Sequence, residues 1–167
     1  ILAIVATAGL ILRKRYQTLE DAAEMPPTTT TVPNPSGATR GLRNNNPLNI
    51  EYRTGTVWQG EIRPSTDSRF AQFQSMPYGY RAAFKTIRTY VTKYGLNTVE
   101  AIIKRWDPGS ANYVNVVCQY SGLKPGSTVN PADAPTMQKL VGAMSRMENG
   151  IAPVSAAINL GWQLAQS

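Results

Sequence analysis

Residues 136–150, TMQKLVGAMSRMENG, decide how the chain is read. Met137, Leu140, Val141 and Met144 recur at three- and four-residue steps, the spacing of one buried helix face. Glu148 is the next step, four beyond Met144 and seven beyond Val141, so it falls on the apolar face rather than the wet one. Thr136 can cap the start of this helix, and Asn149-Gly150 is a stop signal. Glu148 therefore occupies the last turn, where the carbonyl end of the helix and partial burial both disfavour negative charge. A half-buried carboxyl that keeps its proton is what a general acid for glycosidic cleavage needs. The plainer reading is an acid at a frayed helix end reaching water past Met144.

Upstream, the periods remain helical. Ala83, Phe84, Ile87, Tyr90, Val91 and Tyr94 predict a helix over 80–94. Asn97-Thr98-Val99-Glu100 reads as an Asn-led capping box opening a helix through Trp106. Ser110 can cap a helix running to Tyr120 that Gly122 closes, and Pro153 suits the first turn of a last helix ending near Ala165. The exception is 43–73, where Asn44-Asn45-Asn46-Pro47 and the Gly-punctuated TGTVWQGEIRPSTDSRFAQF predict loops and a short β-hairpin. The expected fold class is mainly α (α+β), a helical domain over 40–167 with a small hairpin.

Two segments precede that domain. Ile1–Leu12 is apolar or small and runs into Arg13-Lys14-Arg15. Twelve residues fall short of the roughly twenty that span a bilayer. Residues 1–24 thus read as the exit half of a truncated membrane anchor, a packed amphiphilic helix or a secretion-signal remnant. Residues 25–39, MPPTTTTVPNPSGAT, hold four prolines and five threonines without a charge, the composition of an extended linker.

Composition narrows the chemistry. Among 167 residues there is no histidine, and Cys118 is the only cysteine. Ser-His-Asp and Cys-His hydrolases, and His-ligated zinc peptidases, are therefore excluded. No cofactor and no metal is expected, and proton transfer must run through carboxylates, tyrosines, lysines or water. Glu20, Asp21 and Glu24 precede the linker; Glu100 and Asp133 read as helix-start residues, and Asp107 as a turn residue. Glu61 and Asp67 flank the turn of the expected hairpin and are candidates for a second catalytic carboxylate opposite Glu148. Read structurally, they would instead pair with Arg63 and Arg69. Glu51 is a weaker candidate. Asn46, Asn49, Tyr52, Trp58 and Tyr113 are the candidate substrate-binding residues, with Tyr78, Tyr80, Trp106 and Tyr120 as further aromatics that could line a sugar cleft.

Arg40-Gly-Leu-Arg-Asn-Asn-Asn-Pro-Leu-Asn-Ile50 resembles the RGxRNNNPxNI signature of a phage-associated domain in the lysozyme-like superfamily. Trp58-Gln59-Gly60, Asp67-x-x-Phe70-x-x-Phe73, Gly79-Tyr80-Arg81-Ala82, Ile102-Ile103 with Trp106, and Met147-Glu148-Asn149-Gly150 follow in the same order. The whole chain is most similar to the peptidoglycan-digesting lytic enzymes of cystoviruses, enveloped double-stranded-RNA phages. The resemblance implies a lysozyme-like or lytic-transglycosylase-like fold and bacterial peptidoglycan as substrate. It also implies a place in the virion between envelope and nucleocapsid, with action in the host periplasm. Viral envelope or nucleocapsid proteins would be its partners, and no specific nucleic acid. Glu148 and the turn after it also resemble the catalytic glutamate of goose-type lysozymes and lytic transglycosylases, although there the glutamate precedes the substrate loops. Three readings stay open: a glycan-cleaving hydrolase, a murein endopeptidase, and a structural protein bridging envelope and nucleocapsid. The net charge of +7 fits attraction either to an anionic wall or to an acidic nucleocapsid.

Overall fold

The computed structural model describes residues 37–167. The expected anchor segment, 1–24, and nearly all of the expected linker lie outside the described residues. The rest is mainly helical. The order is α1 (Arg40–Arg43), α2 (Met76–Tyr94), α3 (Val99–Trp106), α4 (Tyr113–Ser121), α5 (Ala134–Asn149) and α6 (Ser155–Leu164).

The helix faces follow the sequence periods, while several boundaries move for local reasons. α2 starts four residues before Tyr80 because Pro77 fits a first turn, where a missing N–H costs nothing. α3 is capped by Thr98 rather than Asn97, the Thr98 hydroxyl accepting from the Ala101 amide at 3.2 Å. Asn97 instead accepts the Val129 amide through its carbonyl, and Glu100 pairs along the helix with Lys104 at 2.7 Å. α4 begins after Asn112 rather than Ser110 and ends, as expected, on Gly122 in the left-handed region. α5 begins at Ala134, two residues before Thr136, with Pro135 in its first turn, and closes on Gly150. α6 begins at Ser155, just past Pro153.

The expected hairpin is not formed. Between Glu51 and Phe73 there are only two isolated antiparallel bridges, Glu51 with Phe70 and Glu61 with Phe73. A few backbone bonds cross the segment, such as Tyr52 to Arg69, Ala71 to Ile50 and Ile62 to Gln72, and side chains brace it where no continuous ladder forms. Asp67 carries most of the load. Arg40 donates to both of its carboxylate oxygens at 2.6 and 2.7 Å, Asn44 donates at 2.7 Å, and the Arg69 and Phe70 amides each donate at 2.9 Å. Asn46, fully buried, acts as a second brace. Its amide donates to the Ile50 and Ala71 carbonyls and its oxygen accepts the Ile50 amide, so three backbone groups are satisfied by one side chain.

The helices close over a single apolar core. α2 lies against α6, and α5 packs against α4 and α6. Tyr80, Phe84, Ile87, Ile102, Ile103, Tyr113, Met137, Leu140 and Met144 are all essentially inaccessible, each worth about 1.5–3 kcal/mol of burial. Phe84 meets Trp162 edge-on at 5.2 Å between ring centroids. Two glycines let the layers approach. A Cβ on Gly79 would come within 2.1 Å of the Asn45 carbonyl oxygen, and one on Gly161 within 2.5 Å of the Tyr80 Cβ.

Gly79→Ala is expected to cost at least about 2 kcal/mol, because the obstructing atom is backbone and α2 must move off the asparagine turn; denaturant unfolding measures it. The Arg40 guanidinium, with backbone amides and Asn44 assisting, holds the Asp67 carboxyl well below the usual carboxylate range. The stability it contributes is therefore fully present above about pH 4 and drains away as pH falls, where the unfolded chain takes up a proton that the folded one refuses. Thermal melts of Asp67→Asn should lie below wild type at neutral pH and fall less steeply between about pH 5 and 2.

Candidate functional site

Asn149 fixes the end of α5. Buried among the first loops, it donates to the Pro47 carbonyl at 2.7 Å and to the Ser145 carbonyl at 2.8 Å, and accepts from the Thr39 hydroxyl. With that residue turned inward onto the asparagine segment, its neighbour Glu148 is half-buried and faces an open cleft. Two donors hold the Glu148 carboxylate. The Tyr113 hydroxyl, at the start of α4, donates to Oε1 at 2.7 Å, and the Asn49 amide donates to Oε2 at 2.8 Å. Burial, reinforced by the neighbouring Glu148 charge, pushes the Tyr113 phenol far above its ordinary value, so it remains a donor. Asn49 sits at φ +51°, a left-handed conformation that asparagine tolerates well, and this turns its amide toward the acid. Its Oδ1 is buried without a hydrogen-bond partner.

The cleft encloses about 790 Å³. One wall is the segment from Leu48 to Trp58 with Arg69 and Phe70. The other is α2, through Thr86, Thr89, Tyr90 and Tyr94, together with Arg105, Trp106, Asp107 and Pro108 at the end of α3. α5 contributes Glu148 alone. The walls thus offer aromatic faces of the kind that stack on sugar rings, with hydroxyls and charges of both signs between them. Among the described residues no group of three acids or cysteines is close enough to hold a metal ion.

The structure places the sequence-derived candidates unevenly. It brings Glu148, Asn49, Trp58 and Trp106 to the cleft. Tyr113 meets Glu148 but is fully buried behind it, so it positions the acid instead of contacting a ligand. Asn46 is a buried brace with every polar atom used, and is corrected from substrate contact to fold support. Tyr52 lies outside the cleft lining, its ring under the Arg63 guanidinium at 4.7 Å. Tyr80 is core, Tyr78 covers Gly60, and Tyr120 packs against Arg146.

Neither expected second carboxylate reaches the cleft. Asp67 is consumed by its five donors. The Glu61 side chain is completely covered, accepting the Trp58 amide at 2.8 Å and pairing with Arg63 at 3.0 Å, which shapes the loop presenting Trp58. The acids that do share the cleft with Glu148 are Glu51 and Asp107. Glu51 is exposed and pairs loosely with Arg69 at 3.5 Å. Asp107 accepts the Gly109 amide at 3.1 Å through one oxygen and lines the cleft at the end of α3.

Arg53, Arg105, Tyr90 and Tyr94 line the cleft and carried no motif. The two tyrosines fit the apolar period of α2, and their exposure to the cleft follows only from where α3 ends. A basic Arg105 beside Trp106, within reach of aromatics at a helix end, is the faint signal that was available.

No protein-family profile matches the sequence. Protein P5 of Pseudoalteromonas phage PM2 is 40% identical over 122 residues, which cover 70% of this chain and 74% of that protein. At that identity and coverage, the chain belongs to the family of Protein P5 of phage PM2.

Proposed function

We propose that the protein is a lysozyme-like peptidoglycan hydrolase that opens the bacterial wall during phage infection and lysis, with Glu148 as its acid/base. The observation that carries this reading is one carboxylate, held by two uncharged donors, facing an aromatic-lined cleft of about 790 Å³. The mainly helical fold, the absence of histidine and a relative encoded by a phage all support it. The setting that goes with it is the virion, between envelope and nucleocapsid as in cystoviral lytic enzymes, with action in the host periplasm.

One acid suffices for a transglycosylase. Protonated Glu148 gives its proton to the glycosidic oxygen as the bond from the muramyl C1 breaks. The ionised carboxylate then takes the proton of the same sugar's C6 hydroxyl, whose oxygen closes onto C1 as an anhydro ring. A muramidase would instead need a second carboxylate for water, and Asp107 or Glu51 would serve. Cleavage of the peptide cross-link is disfavoured because the usual peptidase mechanisms need a histidine and the sequence has none.

Digestion of purified peptidoglycan, with the fragments identified by mass spectrometry, tests the reading. Wild type should release anhydro-muramic ends, and Glu148→Gln should lose at least about a hundredfold in rate while keeping its melting temperature. Reducing ends would direct attention to Asp107 and Glu51. Free peptides over intact glycan strands would refute the mechanism, and an active Glu148→Gln would remove its acid. Tyr113→Phe should retain the fold and the product type but lose about tenfold in rate, since one donor orienting the carboxylate is gone; a pH–rate profile that shifts with it marks a positioning role.

A further inference from the structure

We propose that Arg53 and Arg105 form a carboxylate-binding subsite at the α2 side of the cleft, which takes the acidic stem peptide of the wall polymer. This inference rests on the peptidoglycan reading above. Arg105 lies over Tyr94 and Tyr90, its guanidinium carbon 5.0 and 5.7 Å from the two ring centroids. Trp106 buttresses Tyr90 edge-on at 6.2 Å. Arg53 comes from the opposite wall and lines the same cleft, so an extended anionic ligand lying in it meets one cation from each wall.

Both side chains are exposed, so each stays hydrated while the cleft is empty and is free to turn to an arriving anion. The other arginines of this region are already neutralised: Arg40 by Asp67, Arg63 by Glu61 and Arg69 by Glu51. Among the described residues, no carboxylate lies within ion-pair distance of Arg53 or Arg105. The stacked guanidinium is pre-oriented, with its edge available for a two-point contact to a carboxylate. A glycan strand alone cannot supply that group, because the muramyl lactyl carboxyl is tied up in the amide bond to the stem. The stem peptide does supply it, through its D-glutamyl and terminal carboxylates. The enzyme would thus read peptide while acting on sugar.

Calorimetric titration of the full chain with two probes tests the subsite without turnover. One probe is the N-acetylglucosaminyl–N-acetylmuramyl disaccharide bearing the tetrapeptide. The other is the same disaccharide with its lactyl carboxyl capped as a methylamide. Neither holds a muramyl–glucosaminyl bond to cut. Wild type should bind the peptide-bearing probe about tenfold more tightly or better, with a preference that shrinks as salt rises. Arg53→Gln, which leaves the tyrosine stack untouched, should reduce that preference, and the double variant with Arg105→Gln should abolish it. Equal binding of both probes by wild type, binding of neither, or an undiminished preference in the double variant would each overturn the subsite. The glycan-cleavage assay is read separately. A wild type that cuts glycan without preferring the stem fails only here, and one that prefers the stem without cutting fails only the catalytic reading.

Discussion

The amide of Asn149 is the contact on which the rest of the site depends. Its three hydrogen bonds join the end of α5, the turn at Pro47 and the first residue before α1. One buried side chain thus ties the last turn of α5, through the Ser145 carbonyl, to a second segment of the chain. Because adjacent residues on a helix point about 100° apart, turning Asn149 inward sets where Glu148 points. The acid therefore inherits its orientation from a neighbour that never touches the cleft. Asn49, three residues past Asn46 in the braced turn, then lies within reach of Oε2.

The asparagine segment is rigid because every member has a different partner. Asn44 binds Asp67 and Gln72, Asn45 binds the Phe73 carbonyl, and Asn46 binds the backbone on either side. α2 seats on the same turn through Gly79, with no side chain between. The cleft wall formed by α2 and the wall formed by residues 48–58 are thus referenced to a common turn. The proposed binding of a polymer would need the walls fixed relative to Glu148, and here that reference is polar rather than apolar.

How much of this could be read from sequence depends on whether the cause was periodic. The α5 stripe put Glu148 on the inner face because four apolar residues at fixed steps leave it no other side, and Gly150 closes the helix as its backbone freedom requires. The asparagines gave no such warning. An amide in a polar loop looks alike whether it meets a sugar or a buried carbonyl, so Asn46 read as a contact residue and is in fact a brace. Asp67 and Glu61 misled for a related reason. Their nearness to arginine was visible, but an ion pair and a catalytic acid have the same sequence signature. Contacts spanning twenty or more residues decide between them, as Arg40 does for Asp67. The hairpin was expected from glycine punctuation, while the backbone pairs only at isolated points and side-chain bonds to Asp67 and Gln72 hold the loop between them.

The distribution of partners among the acids supplies the last step. Glu51, Glu61, Asp67 and Glu100 each face an arginine or lysine. A cation beside a carboxylate favours one protonation state, which suits a structural brace, as the depressed Asp67 shows. Glu148 is held instead by a phenol and an amide, groups that fix geometry without adding a full charge. Acid/base work requires a group that is positioned yet able to give up and regain a proton within one cycle. In a chain with ten acids, no histidine and a net charge of +7, keeping cations away from one inward carboxylate is itself a specific arrangement. Arg53 and Arg105 line the same cleft, Arg105 over Tyr90, and in the proposed subsite a bound anion rather than a catalytic acid would answer them. On the proposed reading, separating a charge-paired scaffold from a neutral-held acid would let one small cleft combine ionic recognition with proton transfer.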